Sequence, residues 1–193
     1  MQAARGASLT RDHASHGGRS RLGLVTAVAV GAWLVDVLSK IVAERELADR
    51  GPVEVLGSVL RLHLTHNAGA AFSTGTSVTP VIALFAVVAL VVVAVLAVRA
   101  GTTGWAWALG LLLAGIAGNL TDRIFREPGL LRGHVVDFME LPHWPIFNVA
   151  DVCINVAAAL IVVQSVRGIP VRGRASDDEP AAPVTPSAHE AER

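Results

Sequence analysis

Four stretches of the chain are almost entirely apolar, and each approaches the length of a membrane-spanning helix. They are Leu22 to Leu38, Pro80 to Val98, Trp105 to Leu120 and Phe147 to Val166. The hydrocarbon core of a bilayer requires about 20 residues of α-helix. The second stretch carries no charged residue, and the only charge in the first is Asp36. The pattern therefore predicts four transmembrane helices.

Two longer segments separate the spans on one side. Ile41 to Thr79 contains Val53 to Leu64, where apolar and polar residues partly alternate, as in one or two β-strands. Ile124 to Ile146 carries Asp137 and a segment rich in Pro and Trp, and Trp is typical of a membrane interface. The predicted fold class is an all-α polytopic membrane protein with a small extracytoplasmic β-containing segment.

The ends of the chain differ from its body. Residues 1–20 are rich in Gly, Ser, Ala and Arg, and the C-terminal region is rich in Pro, Ala and acidic residues. These compositions predict disordered tails at 1–20 and 168–193, around one membrane domain at 21–167. Four spans place both termini on one side. The distribution of arginine and the short turn Arg99 to Gly104 favour the cytoplasmic side for both termini.

Composition agrees with a membrane protein. Of the 193 residues, 52% are hydrophobic and 17% are charged, and the mean hydropathy is +0.53. A soluble domain is usually less apolar and more charged. The formal net charge is zero and no dense basic block exists, which disfavours nucleic acid as a partner. The single cysteine, Cys153, cannot form an internal disulfide and is expected to be a small core residue.

Polar residues that are unusual beside lipid converge at the outer ends of the predicted spans. Asp151 lies in an apolar run, where a carboxylate is costly unless it has a partner and a purpose. Asp137 lies upstream, in a segment held near the same membrane face. Two such carboxylates suggest acid/base chemistry on a substrate in the membrane. The converging residues are Asp36, Lys40, Asn67, Asn119, Asp122, Arg123, Asp137, Asn148 and Asp151.

Several of these residues also have purely structural interpretations. Asp36 and Lys40 are four residues apart, so they can form an ion pair within one helix, with or without positioning a neighbour. Asn67 begins a segment, Asn-Ala-Gly-Ala-Ala-Phe, that can form a turn or allow close approach of a substrate backbone. Asp122 and Arg123 can be an interfacial ion pair.

Two glycines and two histidines offer further candidate sites. Gly115 and Gly118 are three residues apart, which is typical of a helix-packing surface. His63 and His66 are too few for a zinc site, and the spacing lacks the glutamate of a metalloprotease helix. We expect neither a metal nor a cofactor.

Five motifs in this order resemble the lipoprotein signal peptidases, the signal peptidase II family, which are four-helix aspartyl proteases of the bacterial plasma membrane. The resemblance covers nearly the whole membrane domain. The motifs are Asp36-Val-Leu-Ser-Lys40, Asn67-Ala-Gly-Ala-Ala-Phe72, Gly118-Asn-Leu-Thr-Asp122-Arg123, Val135-Val-Asp137-Phe138 and Phe147-Asn148-Val-Ala-Asp151.

The resemblance implies a membrane aspartyl endopeptidase that removes the signal peptide from diacylglyceryl-modified prolipoproteins. Cleavage would occur before the lipid-modified cysteine, by a water activated between Asp137 and Asp151, at the extracytoplasmic face. The implied partners are these prolipoproteins and membrane lipids, and the implied state is a monomer. Candidates to bind substrate or orient the pair are Asn67, Asn119, Arg123 and Asn148. Residues expected to give structural support are Asp36, Lys40 and Asp122.

A transporter or assembly factor is the competing class, because intramembrane acids also bind protons and ions. A transporter would be expected to carry polar groups along a path through the membrane. The inner half of each predicted span is apolar, which disfavours this alternative.

Overall fold

The computed structural model describes residues 6–69 and 79–172, with side chains from residue 21 onward. The described residues include four helices that are long and apolar enough to cross a membrane. A small antiparallel sheet accompanies them, so the predicted fold class is confirmed. The elements are α1 (Gly6–Leu47), β1 (Val53–Leu56), β2 (Leu60–Asn67), α2 (Thr79–Ala97), α3 (Thr103–Phe125), β3 (Val135–Glu140) and α4 (Val149–Val166).

Helix α3 is the centre of the bundle, because α1, α2 and α4 all pack against it. Glycines make this possible. A Cβ at Gly110 would collide with Val28 of α1, and a Cβ at Gly115 would collide with Ala150 and Ile154 of α4. Close approach of backbones is the usual basis of helix association in lipid, so the predicted small-residue packing surface is confirmed.

The sheet has the order β1-β2-β3, with both pairs antiparallel. The predicted strands between Val53 and Leu64 are confirmed, whereas β3 is a strand that the sequence interpretation did not predict. Its β-branched and aromatic residues around Asp137 were the available signal. Pairing of Thr65 with Asp137, and of Asn67 with Val135, brings the end of β2 beside the first carboxylate.

The N-terminal boundary differs from the prediction. Helix α1 is described from Gly6, so the backbone is helical in residues 6–20, where disorder was predicted, and it continues past residue 38 to Leu47. Propagating a helix adds one hydrogen bond per residue, so an apolar span can extend into polar flanks. Residues 1–5 lie outside the described part of the chain.

The C-terminal boundary also differs. The segment after α4 is ordered to residue 172, not disordered from 168. The Trp105 indole N–H donates to the Ile169 carbonyl at 2.9 Å, and the Gly101 N–H donates to the Val171 carbonyl at 2.7 Å. A buried indole N–H needs an acceptor, which explains why this short segment folds back onto α3. Residues 173–193 lie outside the described part.

Candidate active site

Two aspartates, one buried and one half-buried, face the same concave surface. Asp137 lies on β3 and is 2% exposed, and Asp151 lies in the first turn of α4. Both line a cavity of about 430 Å³ whose wall continues along Trp144 and Ile154. Both also line an adjoining cavity of about 280 Å³ that includes Arg123. The pair of carboxylates that the sequence predicted is therefore brought together at one site.

The start of α4 fixes the position of Asp151. Asn148 is the N-cap, and its side-chain oxygen accepts the Asp151 N–H at 3.0 Å. The Asp151 carboxylate accepts the Asn148 N–H at 3.2 Å, which completes a capping box. This reciprocal arrangement satisfies two backbone donors that the helix itself cannot use. Helix capping thus determines where the second carboxylate lies.

Amide side chains link the two carboxylates. Asn148 donates through Nδ2 to Asp137 Oδ1 at 2.6 Å and to Asn119 Oδ1 at 3.1 Å. Asn119 donates through Nδ2 to Asp151 Oδ1 at 2.9 Å. The path Asp137–Asn148–Asn119–Asp151 is therefore continuous. Because each side chain in the path is held by at least two partners, the separation of the two acids is fixed before any substrate arrives.

Asn67 holds the other oxygen of Asp137. Its Nδ2 donates to Asp137 Oδ2 at 2.9 Å. Its Oδ1 accepts the Gly69 N–H at 2.8 Å, and Gly69 has φ 100°, a conformation that favours glycine. The predicted turn is present, and the same asparagine also contacts the first carboxylate, so the structural and site interpretations of Asn67 are compatible. Residues 70–72 of the same motif lie outside the described part of the chain.

A buried ionic cluster lies behind the amides. Lys40 is fully buried, and its ammonium lies 2.8 Å from Asp36 Oδ2 and 2.7 Å from Asp122 Oδ2. The predicted pair of Asp36 and Lys40 within α1 is therefore present. Lys40 also donates to Asn119 Oδ1 at 3.1 Å. Asp36 Oδ1 accepts the Ala150 N–H at 2.8 Å, which ties α1 to the start of α4.

Asp122 and Arg123 are not the simple interfacial pair that their adjacency suggested. Asp122 instead pairs with Lys40 and with Arg126, the latter at 2.5 Å, and accepts the Val136 N–H at 3.3 Å. Arg123 donates through Nη1 to the Gly133 carbonyl at 3.1 Å. Adjacent residues on a helix point about 100° apart, which explains the separation of their partners.

The environment of Asp137 favours its protonated form. Burial raises the pKa of Asp137 to about 6, and the nearby charge of Asp151 raises it as well. Hydrogen bonds from Asn67 and Asn148 and the charge of Lys40 act in the opposite direction. A carboxyl that titrates near neutrality can hold or release a proton during a reaction.

The histidines have acidic neighbours outside this site. His63 Nδ1 lies 3.4 Å from Glu140, and His66 Nε2 lies 3.6 Å from Glu44. Among the described residues, no group of three or more His, Cys, Asp or Glu side chains is arranged to hold a metal ion.

Sequence reasoning missed several residues of the site. Trp144, Val152, Ile154 and Asn155 line the larger cavity beside the carboxylates. Their signal was available for the α4 residues, because Ile154 and Asn155 follow Asp151 by three and four positions and so lie on the same face of the helix. Arg126 was also missed. It joins Asp122 to Glu44, and the (i, i+4) spacing from Asp122 could have indicated it.

Comparison with known proteins identifies the family. A family model described as signal peptidase (SPase) II matches residues 28–167. The lipoprotein signal peptidase of Leifsonia xyli is 41% identical over 176 residues, covering 91% of this chain and 80% of the relative. That of Streptomyces coelicolor is 43% identical over 161 residues, covering 83% and 79%.

Solved structures agree on the fold. A structure described as a bacterial membrane enzyme aligns with a TM-score of 0.67 at 24% identity, covering 75% of this chain and 94% of the other. A second structure with the same description aligns with a TM-score of 0.64, covering 75% and 88%. The family match, the sequence relatives and the four-helix fold lead to one conclusion: this chain is an aspartic-type peptidase that belongs to the signal peptidase II family.

Proposed function

We propose that this peptidase removes the signal peptide from diacylglyceryl-modified prolipoproteins, cutting before the lipid-modified cysteine. The observation that carries the proposal is the arrangement of Asp137 and Asp151, which face one cavity and are joined through Asn148 and Asn119. The related proteins named lipoprotein signal peptidase supply the substrate class.

The chemistry is hydrolysis by a water held between the two carboxyl groups. Two nearby acids do not both ionise easily, so the pair retains one proton. The ionised carboxylate removes a proton from the water as its oxygen attacks the scissile carbonyl carbon. The protonated carboxyl donates to the carbonyl oxygen, which gives a tetrahedral intermediate. The C–N bond then breaks, and the leaving nitrogen takes up a proton from the pair.

Asp137 is the better candidate for the general acid and Asp151 for the general base. Burial favours a proton on Asp137, whose pKa is raised to about 6. Asp151 occupies the N3 position of α4, where its carboxylate accepts the Asn148 N–H. The different surroundings of the two carboxyl groups favour different roles for them in the reaction.

The cavity suits an extended substrate at the membrane boundary. Its walls combine Ile154 and Val152, which belong to a transmembrane helix, with Asn155 and the carboxylates. In the adjoining cavity, Arg123 supplies N–H groups that can bind backbone carbonyls of a substrate, while Asn119 orients the pair of acids. The apolar signal helix would lie against the spans, and its lipid chains would remain in the bilayer.

The direct test is cleavage of a synthetic lipobox peptide by the purified protein in detergent. We expect cleavage of the diacylglyceryl-modified peptide and little cleavage of its Cys→Ser counterpart, which cannot carry the lipid. The matched control enzyme is Asp151→Asn, which should cleave neither. Equal rates on the two peptides would contradict a lipoprotein-specific function.

The proposal places the site at the extracytoplasmic face and both termini in the cytoplasm. A cysteine introduced at Glu127, in a background with Cys153 replaced by serine, should react in intact cells with a membrane-impermeant thiol reagent. A cysteine at Thr103, at the other end of α3, should react only after the cells are opened. The reverse result would invert the topology.

A further inference from the structure

The fully buried Lys40 is linked to the site by its hydrogen bond to the Asn119 side chain. We propose that Lys40 is a positioning residue for the reaction, which orients the Asn119 carboxamide toward Asp151 and places a positive charge behind the carboxyl pair. The inference deepens the proposed function and rests on it. It assigns to Lys40 more than the local support expected from its spacing to Asp36.

Lys40 restricts the orientation of the Asn119 amide. Asn119 Oδ1 accepts from Lys40 at 3.1 Å and from Asn148 Nδ2 at 3.1 Å, while its Nδ2 donates to Asp151 at 2.9 Å. An ammonium has donors and no acceptor, so it admits only the oxygen end of the amide. With the amide turned over, Nδ2 would face two donors and Oδ1 would face a carboxylate. Lys40 therefore fixes the direction of the hydrogen bond that Asp151 receives.

Lys40 also acts on Asp137 through its positive charge. Asp137 is faced by charges on three elements: Asp151 from α4, Lys40 from α1 and Arg123 from α3. Lys40 is 0% exposed, so solvent screens its charge little. The positive charge of Lys40 lowers the pKa of Asp137 and limits the increase caused by burial. Without Lys40, Asp137 would hold its proton to a higher pH.

Lys40 lies behind the site, where it can position Asn119 without contacting a substrate in either cavity. Within the described part of the chain, neither of the two cavities at the site is lined by Lys40, whereas Asn119 lines the smaller one. A buried group that acts through Asn119 should affect the chemical step and leave the affinity for substrate nearly unchanged. Loss of Lys40 should therefore lower kcat with little change in KM.

Replacing Lys40 alone would leave two buried carboxylates without their shared cation, which can prevent folding. The better variant is the double substitution Lys40→Met with Asp36→Asn, which removes one positive and one negative charge. Asp122 keeps Arg126 as its partner. The carboxamide oxygen introduced by Asp36→Asn can still accept the Ala150 N–H that Asp36 accepts in the wild type. The matched control is Asp36→Asn alone, which retains Lys40.

The readout is an infrared titration of the purified protein, in which the protonated carboxyl band of Asp137 is assigned by its loss in Asp137→Asn. We expect the pKa of Asp137 to be higher in the double variant than in Asp36→Asn alone, because only the double variant loses the positive charge of Lys40. In Asp36→Asn it should not rise, because removing a negative charge cannot favour the protonated form. An equal pKa of Asp137 in the two variants would overturn the proposal.

Kinetics supply the second readout. On the lipid-modified peptide, the double variant should lose about tenfold or more in kcat at unchanged KM, and Asp36→Asn should lose less. A loss that is equal in both variants would assign Lys40 a structural role only. Because the titration requires no substrate, it tests the positioning of the pair even if the wild-type protein cleaves no lipopeptide, which would contradict the proposed function alone.

Discussion

The two ends of the helix bundle both contain buried polar side chains, but the side chains differ in kind. At one end, here called the Gln164 end, Gln164 is 6% exposed and donates to the Thr102 hydroxyl at 3.3 Å, while the Trp105 indole donates to a backbone carbonyl. At the other end, here called the carboxylate end, Lys40 and Asp137 are buried with charged neighbours, and Asp137 lines a cavity. Neutral groups with fixed partners hold the helices at one end, and ionisable groups beside open space support chemistry at the other.

The difference between neutral buried groups at one end and ionisable ones at the other has a physical basis. A buried amide or indole needs one or two hydrogen bonds, which a neighbouring turn can supply. A buried carboxylate carries a larger desolvation penalty, so it must be surrounded by several donors. The asparagine and lysine side chains at the carboxylate end meet that need. The carboxyl groups of Asp137 and Asp151 also face the cavity, where a water or substrate can form hydrogen bonds with them.

The largest expected effect comes from removing either acid at the carboxylate end. Asp137→Asn or Asp151→Asn should each lower the rate of lipopeptide cleavage by at least about 10²–10⁴-fold, because general acid/base function is lost. The double variant should be hardly slower than either single one, since the two act as a unit. Single-turnover kinetics on variants with matched thermal stability would measure this. Retention of more than about a tenth of the wild-type rate would exclude that residue from the pair.

A second prediction separates capping from catalysis at Asn148. Serine caps helices about as well as asparagine, so Asn148→Ser keeps the cap, and the stability lost is that of the buried amide hydrogen bonds, about 1–3 kcal/mol. Serine cannot reach both Asp137 and Asn119, as Asn148 does. Loss of hydrogen bonds to a charged group should lower kcat by about ten- to a hundredfold, equivalent to about 1.5–3 kcal/mol. A stable variant with the wild-type rate would show that the amide bridge is dispensable.

A third prediction concerns pH. The pKa of Asp137 is raised to about 6, so this carboxyl loses its proton as the pH rises through that value. If Asp137 is the general acid, kcat/KM should decline above about pH 6, approaching tenfold per pH unit. The profile of kcat/KM on the lipid-modified peptide measures it. A decline only below pH 6, with none above, would assign Asp137 the role of base.

The smallest expected effect is at the Gln164 end. Trp105→Phe removes the indole donor to Ile169 and keeps an aromatic ring in the core. Loss of one neutral hydrogen bond should reduce the free energy of unfolding by about 1 kcal/mol, with kcat unchanged. Thermal unfolding in detergent and peptide cleavage together would measure this. A tenfold loss of kcat would show that the two ends are coupled more strongly than their separation in the fold suggests.

Much of this architecture could be predicted from the sequence, because the decisive signals are local. Hydropathy located the four spans, and the (i, i+4) spacing indicated the pair of Asp36 and Lys40. The second carboxylate partner of Lys40, Asp122, lies on another helix and could not be inferred from spacing. Contacts of this kind depend on how closely helices approach, which is determined by packing at positions such as Gly118, where a Cβ would meet Asp36.

The sheet illustrates the same limit. Residues 53–64 alternate and could be assigned to strands, whereas β3 became visible only through its pairing with β2. The hydrogen-bonding direction of the asparagine side chains was also inaccessible. Asn119 and Asn148 were predicted as site residues, but which end of each amide faces which carboxylate depends on partners from three helices and one strand.

The capping box at Asn148 has a consequence for quality control during biogenesis. The residue that begins α4 is also the one that joins the two acids, so correct helix registration and a competent site arise in the same event. A shift of one residue at the start of α4 would rotate Asp151 by about 100° around the helix axis. Such a misfolded copy could insert into the membrane and still be unable to cut. The peptidase would therefore become active only when Asn148 caps α4.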